Sequence, residues 1–166
     1  MFRPGLLDRP GYARVLRDPL VVHGGSRYTV VEGEGVFEND RPIRASQVNS
    51  LDEAVIAIGD YALGPTAPER NKRRLSITAE LSARVQRVRM FGSAAIDLAW
   101  VASGKIGGSI MLSNNPWDTC AGVVIAREAG AVVMDDDGSD HTAESRATVA
   151  AAPYLREQIV ALLNER

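Results

Sequence analysis

Short β-type runs come first along the chain. Leu20–Val22 and Tyr28–Val31 are separated by Gly24-Gly25, which predicts a hairpin. Gly33 and Gly35 punctuate Val36-Phe37, and Asn39-Asp40 ahead of Arg41-Pro42 supplies another turn. The run AVIAIG within Leu51–Gly59 has the length and apolarity of a buried strand. A helical period then takes over. Leu75–Val85 predicts a helix, and Val85–Phe91 a strand carrying alternating arginines. In Ser93–Ala102 the apolar Ile96, Ala99 and Trp100 fall at helical spacing, and Gly104 marks the end. A strand over Ile106–Leu112, a helix over Trp117–Glu128 closed by Gly130, and strands over Ala131–Met134 and Thr148–Ala151 follow. Pro153, whose fixed φ suits a first turn, opens a helix over Tyr154–Leu163. Strands alternating with helices predict an α/β domain, a mixed sheet layered with helices.

Composition narrows the class. At 166 residues the chain is long enough for one domain with a core. A net charge of −2 and a pI near 5.7 argue against a general nucleic-acid binder, which carries a basic surplus. No apolar run approaches the ~18 residues that span a bilayer, so no membrane partner is expected. Residues 1–19 hold four arginines, three prolines and two glycines, and read as an irregular leader without the apolar stretch of a secretory signal. Cys120 is the only cysteine, so no intrachain disulfide can form, and the cytoplasm is the default location.

Two segments carry candidate chemistry. In NNPWDTCAGVVIAREAG, residues 114–130, Pro116 sets a helix start and Asp118 falls in the first turn. Taken alone, an aspartate there caps unpaired backbone N–H groups and complements the helix dipole. The alternative is a carboxylate held on a rigid helix end, suited to a hard cation such as Mg²⁺. In FGSAAIDLAWVASGKIGG, residues 91–108, Gly92, Ser93 and Ala94 open a helix after a strand. The plain reading is an ordinary start with Ser93 as N-cap; the functional one is a helix N-terminus that a ligand can approach closely. Arg70, Lys72, Arg73 and Arg74 cluster in the polar stretch Pro65–Arg74, which reads as a solvated loop or helix start, with attraction of an anionic substrate as the second reading. Asp135-Asp136-Asp137-Gly138 lacks the spacing of a calcium loop and reads as a solvated turn. His23 and His141 have no recognisable partner and default to loop or surface roles, and Cys120 reads as a small packing residue.

Together, GSAAIDLAWVASGKIGG and PWDTCAGVVIAREAG, followed by a strand and an acidic turn, resemble the C-terminal signature of the inositol monophosphatase family. Upstream, DPLVVHGGSRYTVVEGEGVFENDRPIRAS resembles that family's hairpin region, so the likeness covers about residues 18–152. It implies the layered sugar-phosphatase fold and Mg²⁺-dependent hydrolysis of a small polyol, sugar or nucleotide phosphate. It makes Asp118 a metal ligand close to the attacking water, and Gly92, Ser93 and Ala94 the wall beside the substrate's alcohol portion.

Two departures qualify the resemblance. The family's Glu-Glu and Asp-Pro-x-Asp-Gly-Thr motifs, which supply most metal ligands, do not occur in this sequence, so weak Mg²⁺ binding and little activity are expected of the chain alone. Met111 stands where many inositol phosphatases place a glutamate that binds substrate hydroxyls, and a thioether cannot take that role. A bisphosphate nucleotidase or fructose-bisphosphatase-like specificity is the alternative among enzymes. The expected organisation is a leader over residues 1–13, unlike the family, and the C-terminal portion of an inositol monophosphatase-like domain over residues 14–166. A truncated reading frame, a frameshift or a late start would each produce that junction. Loss of the first half is expected to uncover an apolar face, through which the chain would form a homo-oligomer such as a dimer, or pair with a full-length relative as a non-catalytic remnant.

Overall fold

The computed structural model describes residues 20–23, 25–31 and 35–165. The expected leader over residues 1–13 lies outside them. The hairpin region forms an antiparallel meander of β1 (Leu20–His23), β2 (Ser26–Val31), β3 (Gly35–Glu38) and β4 (Arg41–Pro42). The turn between β3 and β4 places Asn39 at φ 49° and Asp40 at φ 65°. Both values lie in the left-handed region that Asn and Asp tolerate, and two such residues in succession match the twist of a tight hairpin. Arg27 N–H donates to Asn39 Oδ1 at 2.8 Å, which pins the turn to β2.

The remaining elements are β5 (Val55–Ile58), α1 (Ala67–Arg84), β6 (Arg87–Arg89), α2 (Ala94–Ala102), β7 (Gly108–Met111), α3 (Pro116–Glu128), β8 (Val132–Met134), β9 (Thr148–Ala151) and α4 (Arg156–Asn164). They build a five-stranded sheet in the order β6-β5-β7-β9-β8. β5 runs parallel to β6 and β7, whereas β9 is antiparallel to β7 and β8. Both edge strands have only three residues, and β6 exposes Arg87 and Arg89.

Side chains alternate across this sheet as strand geometry requires. Ile56, Ile58, Ile110 and Val149 face α1 and α4, where Ile77, Leu81, Ile159 and Leu162 meet them. Ala57 and Ala150 face the opposite layer, where Leu98 and Val101 of α2 and Val123 and Ile125 of α3 lie between the sheet and Tyr28, Val30 and Val36 of the meander. Helices thus cover both faces of the five-stranded sheet, so the apolar face expected to be uncovered is not one of these. The large apolar side chains exposed among the described residues are Leu63, Leu75, Met90, Trp117 and Tyr154, each on a different segment. No helix among them is long and apolar enough to cross a membrane.

Several expectations change. α1 begins at Ala67, not near Leu75, with Pro68 in its first turn, where a missing N–H is no loss. Arg74 occupies the core-facing stripe ahead of Ile77 and Leu81, so the apolar period that would reveal the first turns is absent. The acidic turn is not solvated, because Asp135 and Asp136 are buried and only Asp137 is exposed. Asp135 accepts from the backbone N–H groups of Asp136, Arg146 and Ala147, and Asp136 pairs with Arg73 and Arg146. His141 is fully buried rather than in a surface role, and its Nε2 lies 3.0 Å from Thr148 Oγ1.

The tightest interlayer contact joins α2 to α3. A Cβ built on Gly122 would lie 2.6 Å from Leu98 Cβ and 2.7 Å from its Cδ1, so only a glycine admits this approach. Replacing Gly122 by Ala is expected to cost about 2 kcal/mol in urea denaturation, because overpacking outweighs the ~1 kcal/mol of helix propensity that alanine gains. A stability equal to or above wild type would rule out the contact.

Two buried groups titrate in opposite senses. Burial pushes the Asp97 carboxyl up to about 7, with the Asp60 charge adding to the shift and a Ser109 hydrogen bond opposing it. Between its ordinary 3.8 and about 7 the folded chain holds a proton that the unfolded chain has released, so stability falls as pH rises. Burial, aided by the Arg127 charge, holds the His141 imidazole down at about 4. Between about 4 and 6.5 the unfolded chain holds the extra proton, so this contribution rises with pH. Each slope is at most about 1.4 kcal/mol per pH unit, and the two oppose each other below pH 6.5. Asp97→Asn is therefore expected to make stability rise more steeply over that window, and His141→Asn to make it fall more steeply towards pH 7. Denaturation profiles parallel to wild type in both variants would exclude these assignments.

Candidate active site

The chain leaves three neighbouring parallel strands at one edge of the sheet, the place where open α/β sheets bind ligands. From β6 it passes through Met90–Ser93 into α2, from β7 through residues 112–115 into α3, and from β5 through Gly59-Asp60 into a loop. Because Leu98 and Gly122 hold α2 and α3 together, the two helix N-termini converge. They enclose a cleft of about 340 Å³ lined by Gly92, Ser93, Ala94, Ala95, Trp117 and Asp118. The structure thus brings Gly92, Ser93, Ala94 and Asp118 together in one cleft, and leaves the Arg70–Arg74 cluster and Met111 outside its lining.

Gly92 has φ 74°, a conformation that disfavours any side chain, and a Cβ there would lie 3.3 Å from Asp60 Oδ2. Phe91, just before it, packs edge-to-face on Trp100 of α2 with ring centroids 4.6 Å apart, which fixes the turn to the helix it starts. Ser93 occupies the N-cap position of α2, but its hydroxyl makes no capping bond. Its side chain therefore leaves the orphan N–H groups of the first turn to another acceptor.

Asp118 does not behave as a cap either. Asn115 holds the N-cap position of α3, and Asp118 accepts from no backbone N–H. Its one hydrogen bond among the described residues is a long one, 3.3 Å, from Asn115 Nδ2. The carboxylate is exposed at the cleft beside Trp117, itself 80% exposed. Among the described residues no group of three or more His, Cys, Asp and Glu side chains is placed to hold a metal ion. Asp118 thus fits one coordination position of a hard cation, and the described residues do not complete a Mg²⁺ site.

Sequence reasoning missed two parts of this region. The first is Asn114, which anchors the start of α3. Its Oδ1 accepts from Thr119 Oγ1 at 3.0 Å and Thr148 Oγ1 at 3.2 Å, and its Nδ2 donates to Ala143 O at 3.1 Å. His141 sits at the far end of this chain through Thr148. The second is Asp60, whose carboxylate reaches Gly92 from the end of β5. An acid directly after the buried run AVIAIG was the signal available for it. Met111, by contrast, is buried and is not part of the cleft lining; a Cβ on Gly59 would lie 3.6 Å from it.

Comparison with known proteins identifies the family. The family model described as the inositol monophosphatase family matches residues 13–166. The inositol-1-monophosphatase ImpA of Mycolicibacterium smegmatis is 32% identical over 139 residues, which cover 84% of this chain and 50% of that protein. The fructose-1,6-bisphosphatase/inositol-1-monophosphatase of Thermotoga maritima is 32% identical over 136 residues, covering 81% of this chain and 49% of that protein. The crystal structure of the extragenic suppressor protein suhB from Bartonella henselae superposes with a TM-score of 0.76 at 32% identity, covering 85% of this chain and 53% of that one. The chain spans about half the length of the curated relatives it matches. The match over residues 13–166 makes the chain a member of the inositol monophosphatase family.

Proposed function

We propose that this chain is the substrate-side portion of a Mg²⁺-dependent phosphomonoesterase acting on a small polyol, sugar or nucleotide phosphate. The observation that carries the reading is the convergence of Gly92–Ala95 with Trp117 and Asp118 in one cleft, with neither Ser93 nor Asp118 used as a cap. Asp118 supplies one carboxylate to the metal site. The first turn of α2 offers N–H groups to the substrate's polar atoms, and Gly92 keeps that approach free of a side chain. Trp117 forms a wall of the cleft.

A bound Mg²⁺ would activate water and neutralise phosphoryl charge. With a single carboxylate of this chain placed for it, the ion would bind weakly, because Mg²⁺ gives up its waters reluctantly. The chain alone is therefore a poor catalyst, and its metal site is completed by ligands from outside the described residues. A partner chain, either a second copy or a longer relative, is one source of them, and the cytoplasm is the proposed setting. A fructose-bisphosphatase- or nucleotidase-like specificity is the second reading, favoured by Met111, a thioether where a carboxylate would bind substrate hydroxyls.

The test uses the purified chain. Phosphate release from polyol phosphates with Mg²⁺ is expected to stay at the metal-free level, and robust Mg²⁺-dependent turnover would overturn the incomplete site. Paramagnetic Mn²⁺ is expected to broaden the amide resonances of Ser93 and Trp117. Asp118→Asn should weaken that effect roughly tenfold or more; broadening unchanged in this variant would remove Asp118 from the metal site.

A further inference from the structure

Arg70, Lys72, Arg73 and Arg74 all lie in the first half of α1, at the helix end whose dipole favours anions over cations. A local rule broken without local compensation marks a position to account for. The structure separates the four. Arg73 is paired with Asp136, which Arg146 also binds. Arg74 is only 6% exposed and shares the core-facing stripe with Ile77 and Leu81. Its Nε is sealed from solvent and has no hydrogen-bond partner, and no carboxylate pairs with its guanidinium among the described residues.

The surroundings make this worse for an isolated cation. Arg70 lies one turn earlier on the same side of the helix, and burial, aided by the Arg70 charge, lowers the Arg74 pKa. Asp60 acts on Asp97, and no acid is among the charges that act on Arg74. A buried guanidinium without an acceptor is one of the costliest arrangements in a protein, and it calls for a compensating ligand.

The site has a fixed rim. On either side of Arg74 the loop after β5 is tied to α1. Asn71 Oδ1 accepts from Ala62 N–H at 2.7 Å, Asn71 Nδ2 donates to Ala62 O at 2.9 Å, and the Tyr61 and Thr78 hydroxyls lie 3.3 Å apart. The terminal nitrogens of Arg74 are not among the sealed, unpartnered atoms, and they are the part of the fork an ion would meet. No residue of α1 lines the cleft at Asp118.

We propose that Arg74, with Arg70, forms a second anion site between α1 and the loop Asp60–Gly64 that takes a phosphate-type oxyanion. The planar fork of Arg74 matches two oxygens of such an ion, and Arg70 supplies the second positive charge. The ion would come either free or as the phosphate group of a small phosphorylated metabolite.

Thermal melting in metal chelator tests this, with inorganic phosphate or glycerol phosphate titrated against a chloride series of equal ionic strength. Phosphate is expected to raise the melting temperature saturably in the wild type and in Asp118→Asn. Arg74→Met should abolish the increment, and Arg70→Ala should weaken phosphate binding roughly tenfold. Equal affinity for the two probes marks the free ion, and tighter binding of the ester marks a metabolite's phosphate; both support the site. Absence of a saturable increment in the wild type overturns the proposal. So does an increment that survives Arg74→Met, or one lost in Asp118→Asn, which would place the ion in the other cleft. Should Arg74→Met not fold, an undiminished increment in the exposed-site variant Arg70→Ala overturns it instead.

Discussion

The contact of Leu98 with Gly122 positions everything else at the cleft. It lets α2 and α3 approach more closely than any side chain at position 122 would allow, and it sits deep in the layer between the sheet and the meander. Both helices begin at the same sheet edge, so their spacing in the core becomes the spacing of Gly92–Ala95 from Trp117 and Asp118 at the surface. Interiors are packed too densely to absorb a change there locally. A methyl group added in the core is therefore felt in the cleft, although no atom of Gly122 faces it.

A second support is polar. Asn114 is bonded to Thr119 within α3, to Thr148 on β9 and to the carbonyl of Ala143, and His141 closes the chain behind Thr148. These bonds lie in or near the core, where a satisfied network rigidifies and an unsatisfied one is costly. The turn that delivers Trp117 and Asp118 is thus fixed from the strand side as firmly as the helix pair fixes it from the other. Asp118 stands on this rigid base with its own carboxylate nearly unengaged.

Much of this was legible in the sequence wherever one local rule decided the outcome. Glycines and asparagines with positive φ, such as Gly92, Gly104, Gly130 and Asn39, marked turns and helix ends correctly. Pro116 marked the start of α3 and the run AVIAIG marked β5. What failed depended on partners distant along the chain. Asp136 reads as a solvated acid until Arg73, on α1, is seen beside it. His141 reads as a surface residue until Thr148 and the core close over it. Arg74 hid the first turns of α1 by standing where an apolar residue would have kept the period. Strand order was equally hidden: side-chain alternation reports which face a residue takes, not that β9 lies between β7 and β8. A metal site was not legible in the residues themselves for a different reason, since a lone carboxylate does not show what would complete a ligand set.

The edges of the five-stranded sheet limit how this chain can associate. Each ends in a strand of three residues, and the β6 edge carries the exposed Arg87 and Arg89. So short an edge offers few free backbone groups to a neighbour, and like charges on it repel a second copy of itself. Growth of this sheet across molecules is therefore disfavoured by the strands themselves. Self-association that avoids these edges would proceed by surface-to-surface docking, which closes into a countable assembly only where the contact is symmetric or its rotation closes.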